Sequence, residues 1–179
     1  MRIISGTYKG RRINAPKKLP VRPTTDMAKE ALFNIINNQY YFDDISVLDL
    51  FAGTGNISYE FASRGTTQIT CVDVNFSCIK FINETASTFE MSIKTVKSDV
   101  FKFIEHTKLT STIIFADPPY AFTDDQFAII PNLVFLNNLL EENGLLIIEH
   151  SKHTNLSNLA NFNYSKIYGG NMFSFFEYK

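Results

Sequence analysis

The sequence is poor in the features that mark secreted and membrane proteins. It has only two cysteines, Cys71 in a strand-like run and Cys78 in a helix-like run. Two thiols are too few for a disulfide framework, and both are expected to be buried and reduced. No apolar run approaches the length needed to cross a bilayer, and the first ten residues contain no apolar segment like that of a secretory signal. These absences predict a cytoplasmic protein with no membrane association.

Several common catalytic patterns are also missing. The three histidines, His106, His150 and His153, are dispersed, and the last two follow the predicted fifth strand with no cysteine nearby. This arrangement does not favour a metal site. No Gly-x-Ser-x-Gly segment is present, which argues against a serine hydrolase with a nucleophile elbow.

Charge is distributed unevenly along the 179 residues, a length that predicts one domain. Residues 1–30 contain eight basic and two acidic residues, whereas the remainder contains nine basic and sixteen acidic ones, giving +6 and −7. A basic segment on an acidic body suggests a polyanionic partner. The alternative is a solvated tail that binds nothing. Because apolar residues alternate with the basic ones, we favour binding through Lys9, Arg11, Arg12, Lys17, Lys18 and Arg22.

Hydrophobic periodicity predicts an α/β fold. The N-terminal region reads as a short basic hairpin of residues 2–4 and 11–14, followed by a helix from Asp26 to about Asn38. Predicted strands then cover residues 46–51, 68–74, 93–96, 112–117 and 144–149, and predicted helices cover residues 56–63, 76–89, 100–106 and 126–140. Pro131 could kink or break the last helix. Residues 163–168 and 172–178 form a hairpin pattern around Gly169 and Gly170. This order predicts a mostly parallel sheet, covered on both faces and ending in an antiparallel strand.

The first strand–turn–helix contains the pattern expected of a nucleoside site. Gly53 and Gly55 let the backbone approach a ligand closely, and Asp73 ends the next strand at the spacing suited to ribose hydroxyls. Ser58 stands where a dinucleotide fingerprint has its third glycine, and Asp49 would repel a pyrophosphate. Asp49 suits a ligand that carries an ammonium group. S-adenosylmethionine therefore fits this pattern better than NAD.

The predicted third strand ends at Asp99, which by the same topology lies at the carboxyl rim of the sheet. Its carboxylate could accept a hydrogen bond from an adenine amine, or cap the helix that begins at Val100, or do both. Phe51, Val74 and Val100 are assigned to the same cofactor site.

Asp117-Pro118-Pro119-Tyr120 follows an apolar run that reads as a buried strand. Neither proline can donate to a strand ladder, so the sequence predicts a stiff turn at the carboxyl end of the strand. Ligands bind at this edge in open α/β sheets. The turn presents a carboxylate, bare carbonyl groups and an aromatic face, a set that suits a planar amine such as a nucleobase. The alternative is a surface turn stiffened by proline.

These residues resemble a known family. Residues 49–55 (DLFAGTG) look like motif I of class I S-adenosylmethionine-dependent methyltransferases, and residues 117–120 resemble the (Asp/Asn)-Pro-Pro-aromatic motif of enzymes that methylate exocyclic amines. The runs at residues 2–11, 22–26, 32–34 and 63–65 are narrower and resemble the RsmD family of 16S ribosomal RNA guanine-N2 methyltransferases. The resemblance covers essentially the whole chain in colinear order. Met27 departs from it, because the family usually has arginine there.

The resemblance implies a Rossmann-like class I methyltransferase fold with a seven-stranded, mostly parallel sheet and a C-terminal antiparallel hairpin strand. Residues 1–40 would form a basic hairpin and helix packed on a methyltransferase domain of residues 41–179. The protein would be a monomer that uses S-adenosylmethionine to methylate guanine N2 in 16S ribosomal RNA. Adenine-N6 methylation of DNA or RNA, or an inactive RNA-binding assembly factor, are the alternatives.

The catalytic roles implied by the resemblance fall on four adjacent residues. Asp117 and the carbonyl of Pro118 would accept the two protons of the target amine, which stabilises positive charge growing on its nitrogen. Pro119 would stiffen the turn, and Tyr120 would stack on an unpaired or extruded base.

Overall fold

A computed structural model describes residues 1–16, 19 and 24–179 of the chain. Seven strands form one sheet in the order β3-β2-β1-β4-β5-β7-β6. The strands are β1 (Ser46–Leu50), β2 (Gln68–Asp73), β3 (Ile93–Lys97), β4 (Ser111–Ala116), β5 (Leu140–Ser151), β6 (Phe162–Tyr168) and β7 (Asn171–Phe176). β1 to β5 are parallel, and β7 pairs antiparallel with both β5 and β6. This confirms the predicted sheet and its terminal hairpin.

Five helices accompany the sheet in the described part of the chain: α1 (Asp26–Asn37), α2 (Asn56–Ser63), α3 (Phe76–Thr88), α4 (Val100–His106) and α5 (Asp124–Leu136). Alternate strand residues feed two separate cores, so Val47 packs with α1, α2 and α3, whereas Leu48 packs with α4 and α5. Burial of both faces explains why β4 and the second half of β5 read as continuous apolar runs. Cys71 and Cys78 are buried free thiols, as predicted.

The predicted boundary between α5 and β5 was wrong. The helix continues through Pro131 and ends at Leu136, and β5 begins at Leu140 and runs to Ser151, so that it includes His150. Asn138 has a left-handed φ of 52°, while the amide of Leu139 donates to the carbonyl of Val134. This is the Schellman pattern, which ends a helix and which asparagine can adopt. The Asn137-Asn138 pair was the available signal.

The N-terminal hairpin is held on α2. Arg2 and Arg12 form an antiparallel bridge, and the amides of Ile4 and Ser5 donate to the buried carboxylate of Glu60. Gly6 has a φ of +81°, and a Cβ there would lie 1.8 Å from the carbonyl oxygen of Ser63. Only glycine permits this close approach.

The crossovers on the two sides of β1 set the position of the candidate site. From β1 the chain moves outward to β2 and β3, and then returns to β4 on the opposite side of β1. The carboxyl ends of β1 and β4 therefore flank the point at which the strand order reverses, where a crevice opens in sheets of this kind. No helix in the described part of the chain is long and apolar enough to span a membrane.

Candidate active site

A cavity of about 630 Å³ opens at the carboxyl ends of the central strands. Its lining joins the two motifs that the sequence singled out, together with the N-terminal segment. The residues lining it are Thr24, Asp49, Phe51, Ala52, Gly53, Thr54, Asn56, Ile57, Asp73, Val74, Asn75, Cys78, Asp99, Val100, Phe101, Phe115, Asp117, Pro118, Pro119, Tyr120 and Phe122. Gly53 and Tyr120 thus face one space.

The loop from β1 to α2 shapes one wall of the cavity. Phe51 has a φ of 58°, a left-handed conformation that a bulky side chain rarely adopts. The amide of Gly53 donates to Oδ2 of Asp73 at 2.8 Å, which ties the loop to the end of β2. Gly55 lies outside the cavity lining, where it precedes α2 with a φ of 77°. A Cβ at Gly55 would come within 3.0 Å of Tyr59 and Ile82, so close packing also requires glycine here.

Asp49 is a buried carboxylate facing the cavity. Its Oδ2 accepts a hydrogen bond of 2.6 Å from the hydroxyl of Ser58, the residue that replaces the third glycine of the dinucleotide fingerprint. The pKa of Asp49 is raised to about 7, chiefly by burial; hydrogen bonding from Ser58 opposes the rise, and the nearby charge of Asp73 contributes to it. The carboxylate is therefore poised to gain a cationic partner.

Asp73 and Asp99 both carry backbone hydrogen bonds. Oδ1 of Asp73 accepts from the amide of Asn75 at 2.7 Å, in addition to the bond from Gly53. Oδ1 of Asp99 accepts from the amide of Lys102 at 3.0 Å and caps α4. The capping role left open by the sequence is therefore present. Each carboxylate oxygen has more than one acceptor site, so these bonds leave capacity for a ligand.

The Asp117 turn leaves β4 beside β1. The amide of Asp117 donates to the carbonyl of Leu50 at 3.3 Å, and the amide of Phe122 closes the turn on the carbonyl of Pro119 at 2.9 Å. Asp117 is half-buried, and Tyr120 is 39% exposed. Burial raises the pKa of Asp117 well above its usual range, and the negative charges of Glu149 and Asp49 add to the shift.

Aromatic side chains form an apolar wall that sequence analysis missed in part. Phe51 makes edge contacts with Phe101 and Phe122, whose rings stack at a centroid distance of 5.8 Å. Phe101 and Phe122 follow the ends of two different strands, and no sequence spacing connects them. Their position beside the carboxylates of Asp49, Asp73 and Asp99 fits a ligand with a flat ring, hydroxyl groups and an ammonium group.

Thr24 and Asn56 are further cavity residues that the sequence did not reveal. Nδ2 of Asn56 donates to the carbonyl of Thr24 at 3.3 Å, and Oδ1 of Asn56 accepts from Nζ of the buried Lys29 at 3.0 Å. Lys29 falls on the buried face of α1, which the periodicity alone would reserve for apolar residues. These contacts hold the segment before α1 against the start of α2.

The predicted RNA-binding residues lie at different distances from the cavity. Arg11 and Arg12 are exposed on the second strand of the hairpin, and Arg12 pairs with Arg2 near the start of α2. Lys9 belongs to the hairpin turn, which contacts Ser63 at the other end of α2. The two ends of this eight-residue helix are about 12 Å apart. Lys17, Lys18 and Arg22 lie outside the described residues.

Known proteins resemble this chain over nearly its whole length. A family model described as "Conserved hypothetical protein 95" matches residues 1–177. YlbH of Bacillus subtilis is 34% identical over 87% of this chain and 85% of its own length. Ribosomal RNA small subunit methyltransferase D of Buchnera aphidicola is 30% identical over 87% of this chain and 78% of its own length. The solved structure of yhhF from Escherichia coli has a TM-score of 0.86 and 25% identity, covering 100% of this chain and 99% of that one.

The chain has the Rossmann-like fold of class I methyltransferases. Within that class, the chain belongs to the RsmD family of methyltransferases.

Proposed function

We propose that this protein transfers a methyl group from S-adenosylmethionine to the exocyclic N2 amine of a guanine in 16S ribosomal RNA of the small subunit. The observation that carries the proposal is the single cavity shared by Asp49, Gly53 and Asp73 on one side and by Asp117–Tyr120 on the other. The relatives named ribosomal RNA small subunit methyltransferase D support the choice of RNA.

The cofactor half of the cavity holds the donor. Bound S-adenosylmethionine would supply a methyl group on a positively charged sulfur. Asp49 would pair with the ammonium group of its amino acid part, and Asp73 would accept from the ribose hydroxyls. Asp99 would accept from the adenine amine, while Phe51, Val74 and Val100 would contact the rest of the nucleoside. All six of these residues line the cavity.

The other half of the cavity receives the base. A guanine amine is a weak nucleophile because its lone pair is delocalised into the ring, so placing it in line with the methyl group matters most. Asp117 and the carbonyl of Pro118 accept its two hydrogen atoms, which stabilises the charge that develops on nitrogen. Tyr120, being partly exposed at the mouth, stacks on the base, a contact worth about 1–3 kcal/mol in single-strand binders.

The N-terminal region would hold the RNA outside the cavity. We propose that residues 1–40 act as an RNA-gripping extension of a methyltransferase unit formed by residues 41–179. Lys9, Arg11, Arg12, Lys17, Lys18 and Arg22 would contact phosphates, which supplies affinity without sequence preference. The protein would act as a monomer in the cytoplasm.

The test is product analysis. Purified protein is incubated with methyl-labelled S-adenosylmethionine and small ribosomal subunits, or their RNA, from cells that lack the gene. The RNA is then digested and its nucleosides are separated by mass spectrometry. We expect label in N2-methylguanosine. Label in N6-methyladenosine would instead support the adenine-N6 alternative. Cofactor binding without any labelled nucleoside would favour an assembly factor.

Asp117→Ala is the matched variant for this experiment. It removes the acceptor for the target amine and leaves the cofactor residues in place, so we expect turnover to fall by about a hundredfold or more. Calorimetry with S-adenosylmethionine should give nearly the wild-type affinity. A variant that labels RNA at the wild-type rate would contradict the role assigned to Asp117.

A further inference from the structure

Glu149 is a buried carboxylate just behind the cavity wall. It lies near the carboxyl end of strand β5, is 1% exposed, and does not line the cavity itself. Its Oε2 accepts a hydrogen bond of 2.7 Å from the hydroxyl of Thr24, and its Oε1 accepts one of 2.6 Å from Nδ2 of Asn171. The phenol of Tyr120 lies 3.5 Å from the same Oε1, which is long for an O–H···O bond.

The partners of Glu149 come from three distant segments of the chain. Thr24 precedes α1 and lines the cavity, Tyr120 belongs to the turn after β4, and Asn171 begins β7. The carboxylate therefore connects the segment that leads out of the basic N-terminal region with the aromatic ring at the mouth of the cavity. The backbone carbonyl of Thr24 is also held by Asn56, so Thr24 is fixed from two sides.

Buried carboxylates are costly, and a sheet does not need one at this position for its own pairing. The antiparallel register between β5 and β7 is made by backbone groups, with Glu149 opposite Phe173. Hydrogen bonds that a carboxylate accepts are shorter and about twice as strong as neutral ones. Glu149 thus loses hydration, but its hydrogen bonds fix the side chains that surround the base half of the cavity.

We propose that Glu149 is a positioning residue for methyl transfer, which sets Thr24 and Tyr120 in their working positions relative to Asp117. This inference rests on the proposed function only in requiring methyl transfer to an RNA base in this cavity. Tyr120 is partly exposed and close enough for its phenol to form a normal hydrogen bond with Glu149 when a base enters. Hydrogen bonds of this kind often tighten only in the substrate complex.

The test compares two glutamates of the same strand. Glu141, at the start of β5, also accepts from two hydroxyl groups, those of Ser46 and Thr112, but it is exposed and far from the cavity. Glu149→Gln should lower kcat by on the order of tenfold to a hundredfold, because small displacements of positioned groups have effects of this size. Its affinity for S-adenosylmethionine should stay near wild type. Glu141→Gln should match wild type in both measurements.

The pH profile separates positioning from a general loss of structure. Among the described residues, the carboxylates that raise the pKa of Asp117 electrostatically are Glu149 on β5 and Asp49 on β1. Removing the charge of Glu149 lowers that pKa, so Asp117 stays ionised to a lower pH. The acid limb of kcat against pH should therefore move to lower pH in Glu149→Gln and stay in place in Glu141→Gln.

Thr24→Val provides a second variant if Glu149→Gln folds poorly, since it deletes only one donor to Glu149. It should lower kcat in the same direction, and its effect should be less than additive with that of Glu149→Gln. Two results for Glu149→Gln would overturn this inference and leave the proposed function standing. One is a wild-type kcat with a wild-type pH profile. The other is a parallel loss of cofactor affinity, kcat and urea midpoint with no shift of the acid limb. A wild-type protein that binds S-adenosylmethionine but methylates no small-subunit RNA would overturn the proposed function and this inference with it.

Discussion

Buried and half-buried carboxylates occupy two regions of this molecule in opposite electrostatic surroundings. Glu60, on α2, meets Lys29 at 3.4 Å and Arg64 at 3.0 Å, and it accepts two further bonds from backbone amides of the hairpin. Asp49 and Asp117, at the cavity, form no ion pair with any Lys or Arg of the described residues, and the pKa of each is raised. In the first region the protein itself compensates the negative charge of the carboxylate, whereas in the second region no Lys or Arg among the described residues does so.

The difference assigns the two regions to different tasks. A buried carboxylate with cations and amides around it holds chain segments together, and here it fixes the hairpin to α2. A buried carboxylate whose charged form is disfavoured is stabilised when a cation or an amine binds next to it. Asp49 and Asp117 therefore mark where the proposed substrates would bind. The Glu60 cluster supports the start of α2 from below, because Lys29 contacts both Glu60 and the cavity residue Asn56.

Glu60→Gln breaks the supporting region. The amide nitrogen of glutamine would face a backbone N–H, and Lys29, 1% exposed, would lose its charged partner. Because removing one member of a buried ion pair leaves an uncompensated charge, we expect the free energy of unfolding to fall by about 3–5 kcal/mol. Urea denaturation measures it.

Glu84→Gln is the matched control for this change. Glu84 also belongs to an i,i+4 pair, with Lys80 at 3.7 Å, but both side chains are well exposed. Its loss should cost no more than about 0.5 kcal/mol. Equal effects of the two substitutions would show that the Glu60 cluster is not what holds the hairpin.

The uncompensated charge of Asp49 at the cavity should make cofactor binding depend on pH. With a pKa of about 7 in the free protein, Asp49 is neutral below that pH and ionised above it. The ammonium group of S-adenosylmethionine favours the ionised form, so affinity should rise with pH up to 7, by at most about tenfold per unit. Calorimetry between pH 5.5 and 7 measures this and avoids the pH at which an α-amine itself begins to titrate, about 7.7.

Asp49→Asn is the control for that measurement. It keeps the size of the side chain and an acceptor for the Ser58 hydroxyl, yet it does not titrate. Its affinity should be lower and independent of pH over the same interval. A wild-type affinity that is flat over this interval would mean that Asp49 does not pair with the cofactor.

The same contrast explains what the sequence could reveal. The fold followed from apolar runs and turn residues, because strands buried on both faces and tight glycine turns leave local patterns. The residues 117–120 were recognisable since two consecutive prolines after a strand permit few conformations. Lys29, Thr24 and Glu149 were not, because their importance comes from partners 22 to 125 residues away. Charged or hydroxyl side chains in an apolar pattern are the only local trace of such networks.

The exposed arginines of the hairpin differ from both groups of carboxylates, because their charges are solvated and screened by salt. Reversing Arg11 and Arg12 to glutamate should weaken RNA binding, and the plot of log affinity against log salt should become less steep by about 0.7–0.9 for each lost phosphate contact. Lys94 and Lys108, exposed at the amino ends of β3 and β4, provide a double reversal of equal charge change on the side of the sheet away from the cavity. If both pairs alter the slope equally, affinity depends on the total charge of the protein, and the hairpin is not the surface that meets the RNA.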